Sequence, residues 1–219
     1  MSVAVENFIK AIYKNNLNSI NNTKPGSIAK HLGISNAAAT DMAKKLADKD
    51  LLNYEKYKPL QLTAKGEKIA LNIIRKHRLW EAFLFKTFDM SLHDIHREAE
   101  LLEHETSNFL AEKISAYLGH PKFDPHGDPI PNSDGEITTT DISISLEKAI
   151  ENKTYTIARL MSEDKDFFDF CAQNSLKYGN TLEVVKQFSN TKMTQIKINN
   201  NTILLNQDFT KIIYVNEIN

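Results

Sequence analysis

Apolar residues open the chain at Val5, Phe8, Ile9, Ile12 and Tyr13. That spacing of three and four predicts a helix over about Val3 to Asn16 with one face buried. A polar loop, Asn15 to Gly26, follows. Ser27 to Leu32 predicts a short helix stopped by Gly33. Ser35 is placed to cap a second helix from Asn36 to about Asp50, with Ala39, Met42, Ala43 and Leu46 turned inward. Two helices about a tight turn form a helix-turn-helix pattern. Leu51–Lys56 and Leu60–Thr63 then alternate around Tyr57-Lys58-Pro59 and predict a β-hairpin, placed as a wing.

Thr63 is positioned to cap a long helix from Ala64 to about Phe88, and Ser91 another from Leu92 to Tyr117, ended by Gly119 and Pro121. Residues 119–140 hold Pro121, Pro125, Gly127, Pro129, Pro131 and Gly135 and read as a linker. Beyond it the period changes to two: Ile142–Leu146, Tyr155–Leu160, Leu182–Val185, Gln195–Ile198, Thr202–Leu205 and Ile212–Val215 predict short strands, with a helix from Asp166 to Asn174 among them. A run of short strands of this kind suggests a small, partly open barrel. The expected fold is therefore mainly α with an α+β tail. It has a winged helix-turn-helix over 1–70, a helical dimerisation and metal-binding domain with linker over 71–140, and a small C-terminal β-barrel over 141–219.

Charge sharpens this division. Residues 1–70 carry 11 lysines against 6 acids, whereas 71–140 carry 7 basic and 12 acidic residues, although the net charge of the whole chain is only −1. A basic first third suits an anionic partner and an acidic middle third a cationic one. The single cysteine, Cys171, excludes an internal disulfide and any multi-cysteine metal site. Apolar runs are too short for a membrane span, and no leader pattern is visible at the N-terminus, so the expectation is a cytoplasmic protein with no membrane partner.

In a helix-turn-helix the second helix enters the major groove by its N-terminal end. Here that end offers Ser35, Asn36, Ala37 and Thr40, small or polar residues able to meet base edges or phosphates. Lys44, Lys45, Lys56 and Lys58 are placed for phosphates; Asp41 fits poorly beside one. Double-stranded DNA is the expected partner.

Candidate ligands for a cation cluster downstream. His96, Glu100, Glu103 and His104 share a stripe if the segment is one helix, and His77 and Glu81 stand four residues apart on the helix before it. Clustered carboxylates repel one another unless a cation or protons intervene. An oxygen and nitrogen set without thiolate suits Mn, Fe(II), Co or Zn.

The runs Arg75-Lys76-His77-Arg78-Leu79-x-Glu81 and His96-x3-Glu100-x2-Glu103-His104 resemble the diphtheria toxin repressor family of metal-dependent transcriptional regulators. Leu51-Leu52-x-Tyr54-Glu55-Lys56-Tyr57 and Leu62-Thr63-x-Lys65-Gly66 are similar to the wing of its manganese-regulator branch, and Asp124 to Pro131 to the segment after its dimerisation helices. The resemblance implies a primary site at Glu100, Glu103 and His104, with Asn7 where the family uses methionine or aspartate; Glu6 or a water could compensate for that amide. It implies a second site at His77 and Glu81, completed by His96 or by Asp124 and His126, with a barrel oxygen from Asp164, Glu163 or Asp166. Glutamate at position 100 favours Mn(II) or Fe(II) over softer ions.

The function so implied is a repressor controlling metal-uptake genes, with two metal sites per subunit. A homodimer would read a near-palindromic operator, its interface drawn from apolar residues such as Leu79, Phe83, Leu84, Leu101, Phe109 and Leu110. The alternative is a winged-helix regulator not activated by metal, using the His/Glu cluster structurally or for another effector. No nucleophile motif, phosphate-cradling glycine loop or HExxH pair is present, so neither an enzyme nor a small-molecule substrate is expected.

Overall fold

A computed structural model describes residues 1–17, 23–138 and 142–218. The expected loop over Asn15 to Gly26 lies partly outside these residues, as does the boundary expected at 140/141. The chain forms two compact units. One comprises Met1–His77, Leu101–Lys113 and Pro131–Thr138, the other Arg78–Glu100, Ile114–Ile130 and Thr139–Asn219.

The first unit is a winged helix. It contains α1 (Val3–Leu17), α2 (Pro25–His31), α3 (Asn36–Ala47), the two-residue strands β1 (Leu52–Asn53) and β2 (Gln61–Leu62), and the start of α4 (Ala64–Phe88). Pro25 opens α2, where its missing N–H costs nothing. Ser35 caps α3 by accepting from Ala38 N at 3.1 Å. Phe8, Ile9 and Ile12 of α1 bury with Ile28, Ala39, Ala43, Leu46 and Leu60 in one core. The β1–β2 ladder pairs only Leu52 with Leu62 and Asn53 with Gln61. At Gly66 a Cβ would lie 2.0 Å from Leu51 O, so α4 packs directly on the backbone leading into the wing.

The single helix expected from Leu92 to Tyr117 is two: α5 (Leu92–Leu102) and α6 (Asn108–Leu118). The break is made by side chains that compete with the helical ladder. Thr106 Oγ1 donates to Leu102 O at 2.6 Å, and Ser107 starts α6 by accepting from Leu110 N at 3.1 Å. Glu103 and His104 therefore sit in a turn, and the one-helix stripe ends before them.

In the second unit the expected strands are present, but the sheet is open and not a barrel. Strands β3 (Ile144–Ser145), β4 (Lys153–Leu160), β5 (Thr181–Phe188), β6 (Met193–Ile198), β7 (Asn201–Asn206) and β8 (Ile213–Glu217) lie in the order β3-β8-β4-β5-β6-β7, antiparallel throughout. One edge strand is two residues long and runs into a 3-10 turn at Leu146–Lys148. The other leads into helix α8 (Gln207–Ile212), so no ladder joins the edges. The pairing of β4 with β8 slips between Ile157 and Arg159, a bulge at Ala158. Helix α7 (Lys165–Gln173) lays Phe167, Phe168 and Cys171 on Tyr155, Ile157 and Leu160 of the sheet. Burial pushes the Cys171 thiol up to about 12, so it stays protonated as a core residue. No described helix is long and apolar enough to cross a membrane.

Candidate metal centre

In the first unit two candidate ligands, His77 and His104, meet Glu103, whose side chain is fully buried. His77 Nδ1, near the middle of α4, lies 2.7 Å from Glu103 Oε2 and donates to it. His104 Nε2 lies 3.2 Å from Glu103 Oε1, while its Nδ1 donates to Glu6 Oε2 at 2.7 Å. Glu6 therefore fixes the tautomer of His104 and leaves Nε2 a lone pair. Buried His104 Nε2 and Asn7 Oδ1 have no hydrogen-bond partner among the described residues. Such orphaned acceptors are rare in folded proteins, and an oxygen and an imidazole nitrogen are donors that fit a cation. Lys10, which the sequence reading did not use, places its ammonium 2.6 Å from Glu103 Oε1. The available signal was its place on α1, three residues from Asn7 and between the core residues Ile9 and Ile12.

The second unit holds another cluster. One atom each of Glu81, Asp124 and His126 lies within 4.8 Å of the others, and all three side chains are buried. Glu81 Oε1 accepts from His96 Nδ1 at 2.9 Å and stands 3.6 Å from His126 Nδ1. The loop Asp124–Asp128 is folded on itself, with Asp124 Oδ1 accepting from the backbone of both His126 and Asp128 at 2.9 Å. That leaves Asp124 Oδ2 and His126 Nε2 buried without hydrogen-bond partners among the described residues. Arg78, whose Nε lies 3.7 Å from Asp124 Oδ2, and Arg159, which pairs with Asp128, brace the loop. Arg78 stood inside the family-like motif, but its role was not legible there.

Burial and the charges of Glu81 and Asp128 drive the Asp124 carboxyl up to about 8, against the opposing pull of His126 and Arg78. Burial alone would lower His126. The hydrogen bond and charge of Glu81, with the charges of Asp124 and Asp128, outweigh it and hold the imidazole near 9. The cluster thus stores protons where an ion would put positive charge.

Asp164 is committed elsewhere: it caps α7 by accepting from Phe167 N at 2.8 Å. Its neighbour Glu163 is the one that approaches His96, at 4.0 Å from Nε2, while Asp166 is exposed in the first turn of α7. Glu100 lies half-buried near the end of α5.

Residues 1–60 match the family described as iron dependent repressor, N-terminal DNA binding domain. Residues 63–132 match the iron dependent repressor, metal binding and dimerisation domain. An HTH-type transcriptional regulator of Methanocaldococcus jannaschii is 34% identical over 121 residues, covering 54% of this chain and 94% of that protein. The chain belongs to the iron-dependent repressor family. The HTH-type transcriptional regulator MntR of Oceanobacillus iheyensis is 31% identical over 121 residues, 55% of this chain and 81% of its own. A solved manganese-dependent transcriptional repressor in complex with manganese matches with a TM-score of 0.90 at 29% identity, over 98% of this chain and 100% of that one. The protein is thus a metal-dependent, DNA-binding transcriptional repressor that dimerises, of the same family the sequence motifs resemble.

In this repressor Asn36, Ala37, Lys44 and Lys45 stand exposed on α3, with Ser35 just before it. Thr40 is half-buried, and its hydroxyl donates to Asn36 O at 2.8 Å. Lys45 pairs with Asp41 at 2.8 Å, which accounts for the acid in the recognition helix, and its pKa is raised by that bond. Lys56 and Lys58 flank the exposed wing tip Tyr57. Of the apolar residues considered for the dimer, Leu79 and Leu84 are core, whereas Leu101, Phe109 and Leu110 are exposed.

Proposed function

We propose that this repressor is activated by Mn(II) or Fe(II), with two ions per subunit, and that as a homodimer it binds a near-palindromic operator of metal-uptake genes. The division of labour follows residues 1–70 for DNA, 71–140 for metal and dimerisation, and 141–219 as an accessory domain. One ion would be held by Glu103, His104, Glu6 and Asn7, with His77 bonded to the same carboxylate. The other would be held by Glu81, Asp124 and His126, with His96 bonded to Glu81. The observation carrying this reading is the set of buried polar atoms without hydrogen-bond partners among the described residues, Asn7 Oδ1 and His104 Nε2 in one unit and Asp124 Oδ2 and His126 Nε2 in the other. All are oxygen or imidazole nitrogen, the donors of a hard or borderline divalent ion.

A bound ion would supply positive charge in place of the Lys10 ammonium in one cluster and of the protons in the other. In the first unit Glu6 and Asn7 ride on α1, whose Phe8, Ile9 and Ile12 belong to the same core as α3. Ligation by Glu6, Asn7, Glu103 and His104 would tie α1 to the turn after α5 and so favour one arrangement of the winged helix. The gain in DNA affinity is bounded by the difference in metal affinity between the two arrangements. Fluorescence anisotropy with promoter DNA, in chelator and with Mn(II), Fe(II) or Zn(II), tests the reading. The expected result is at least a tenfold tightening with the cognate ion, about 1.4 kcal/mol. Equal affinity in chelator and in metal would overturn it.

A further inference from the structure

Lys10 sits at the focus of the first cluster, and its chemistry differs from that of every other residue there. The side-chain exposures of Lys10 and Glu103 are 7% and 0%, and their ammonium and carboxylate meet at 2.6 Å. Lysine is almost never buried this far unless paired. The oxygen it contacts, Glu103 Oε1, also lies 3.2 Å from His104 Nε2, while His77 uses the other oxygen of the same carboxylate. The ammonium therefore delivers a compact positive charge to the point where the candidate ligands meet. It carries three donors and no lone pair, so in this form it cannot itself ligate an ion. A divalent ion on Glu103 Oε1 would face a like charge at contact distance in a region of low dielectric.

We propose that the Lys10 ammonium is a built-in counter-ion of the first cluster. A divalent ion then enters there only by expelling it, and the Glu81–Asp124–His126 cluster fills first. This rests on the metal-sensing reading above and adds an order of filling to it. The buried Glu103 carboxylate is neutralised without metal, so the turn bearing Glu103 and His104 keeps its place in the metal-free protein. The second ion exchanges one cation for another instead of compensating a bare charge.

Calorimetric titration of the full-length protein with Mn(II) tests the order. Wild type is expected to show two steps, the second at least about tenfold weaker, the scale on which a like charge at this range disfavours a site. Lys10→Met should tighten the second step by about tenfold or more, while Lys10→Arg, which keeps the charge, should leave it weak. Asp124→Asn should remove the first step. Circular dichroism confirms that each variant is folded. Because Lys10→Met removes the ammonium partner of the buried Glu103 carboxylate and can fail to fold, a second readout uses wild type alone. The nitrogen-15 signal of the Lys10 ammonium should survive the first equivalent of Mn(II)-sized diamagnetic Cd(II) and vanish with the second. Loss with the first equivalent overturns the proposal, as does a Lys10→Met second step that is unchanged or weaker. If wild type takes one ion and Lys10→Met gains none, the inference alone fails. If neither protein takes any ion, the metal-sensing reading fails with it.

Discussion

The backbone N–H of Leu160 donates to the carbonyl of His126 at 2.8 Å, tying the ligand-bearing loop to strand β4. Beside this bond Gly127 takes φ +91°, and a Cβ there would stand 2.0 Å from Ala158 O. Gly127→Ala should therefore move His126 off Glu81 and Asp124. The backbone strain alone is about 1–3 kcal/mol. The expected outcome is a lower melting temperature without metal and loss of the stabilisation that Mn(II) gives wild type, both read by thermal denaturation.

Metal uptake at the second cluster should release protons. Asp124 near 8 and His126 near 9 are both largely protonated at pH 7, and a ligating carboxylate and imidazole must lose those protons. Affinity should rise with pH up to about 9, and calorimetry in buffers of differing ionisation enthalpy should count more than one proton released per ion. For stability the sign is the reverse. Both groups bind protons more tightly folded than unfolded, so their contribution is present at low pH. It is lost as pH rises, from about 4 to 8 for Asp124 and from about 6.5 to 9 for His126. A metal-free melting temperature that rose across that range would contradict this.

On DNA, Lys44→Ala and Lys56→Ala should weaken binding to every sequence alike, each reducing the salt slope by about 0.9. Asn36→Ala should instead cost about 1–3 kcal/mol at one base position. Anisotropy over a salt series and a set of single-base operator variants separates the two behaviours.

Phe109 is 72% exposed and Leu110 41% on α6, an apolar display that a dimer would cover. Phe109→Glu is expected to shift the protein toward monomer in sedimentation velocity and to lower operator affinity, with little change in melting temperature.

Much of this molecule is written in periodicity. The apolar spacing of α1, the cap at Ser35, the length of α4 and the alternation of the six strands of the second unit all follow from local rules. The break between α5 and α6 was hidden because Glu103, His104 and Glu105 fit a helical stripe, and the interruption is made by the Thr106 and Ser107 side chains. The open sheet was hidden because closure depends on whether two distant edges pair, and no local pattern encodes that. Helix α8 follows β7 directly after an asparagine cap, in a stretch for which the sequence pattern predicts no element. Of the candidate site, the residue types and spacing of Glu81, Glu103, His104 and His126 were legible. Lys10 was not, because a lysine on a short amphipathic helix ordinarily marks its wet side.

The interruption between α5 and α6 also separates two kinds of adjustment. In an unbroken helix any residue gained or lost would rotate everything after it by about 100° per position. With the Glu103–Ser107 turn between them, a substitution that reshapes the exposed face of α6 leaves Glu103 and His104 in register. The face that α6 shows to solvent and the setting of Glu103 are thereby altered by different residues.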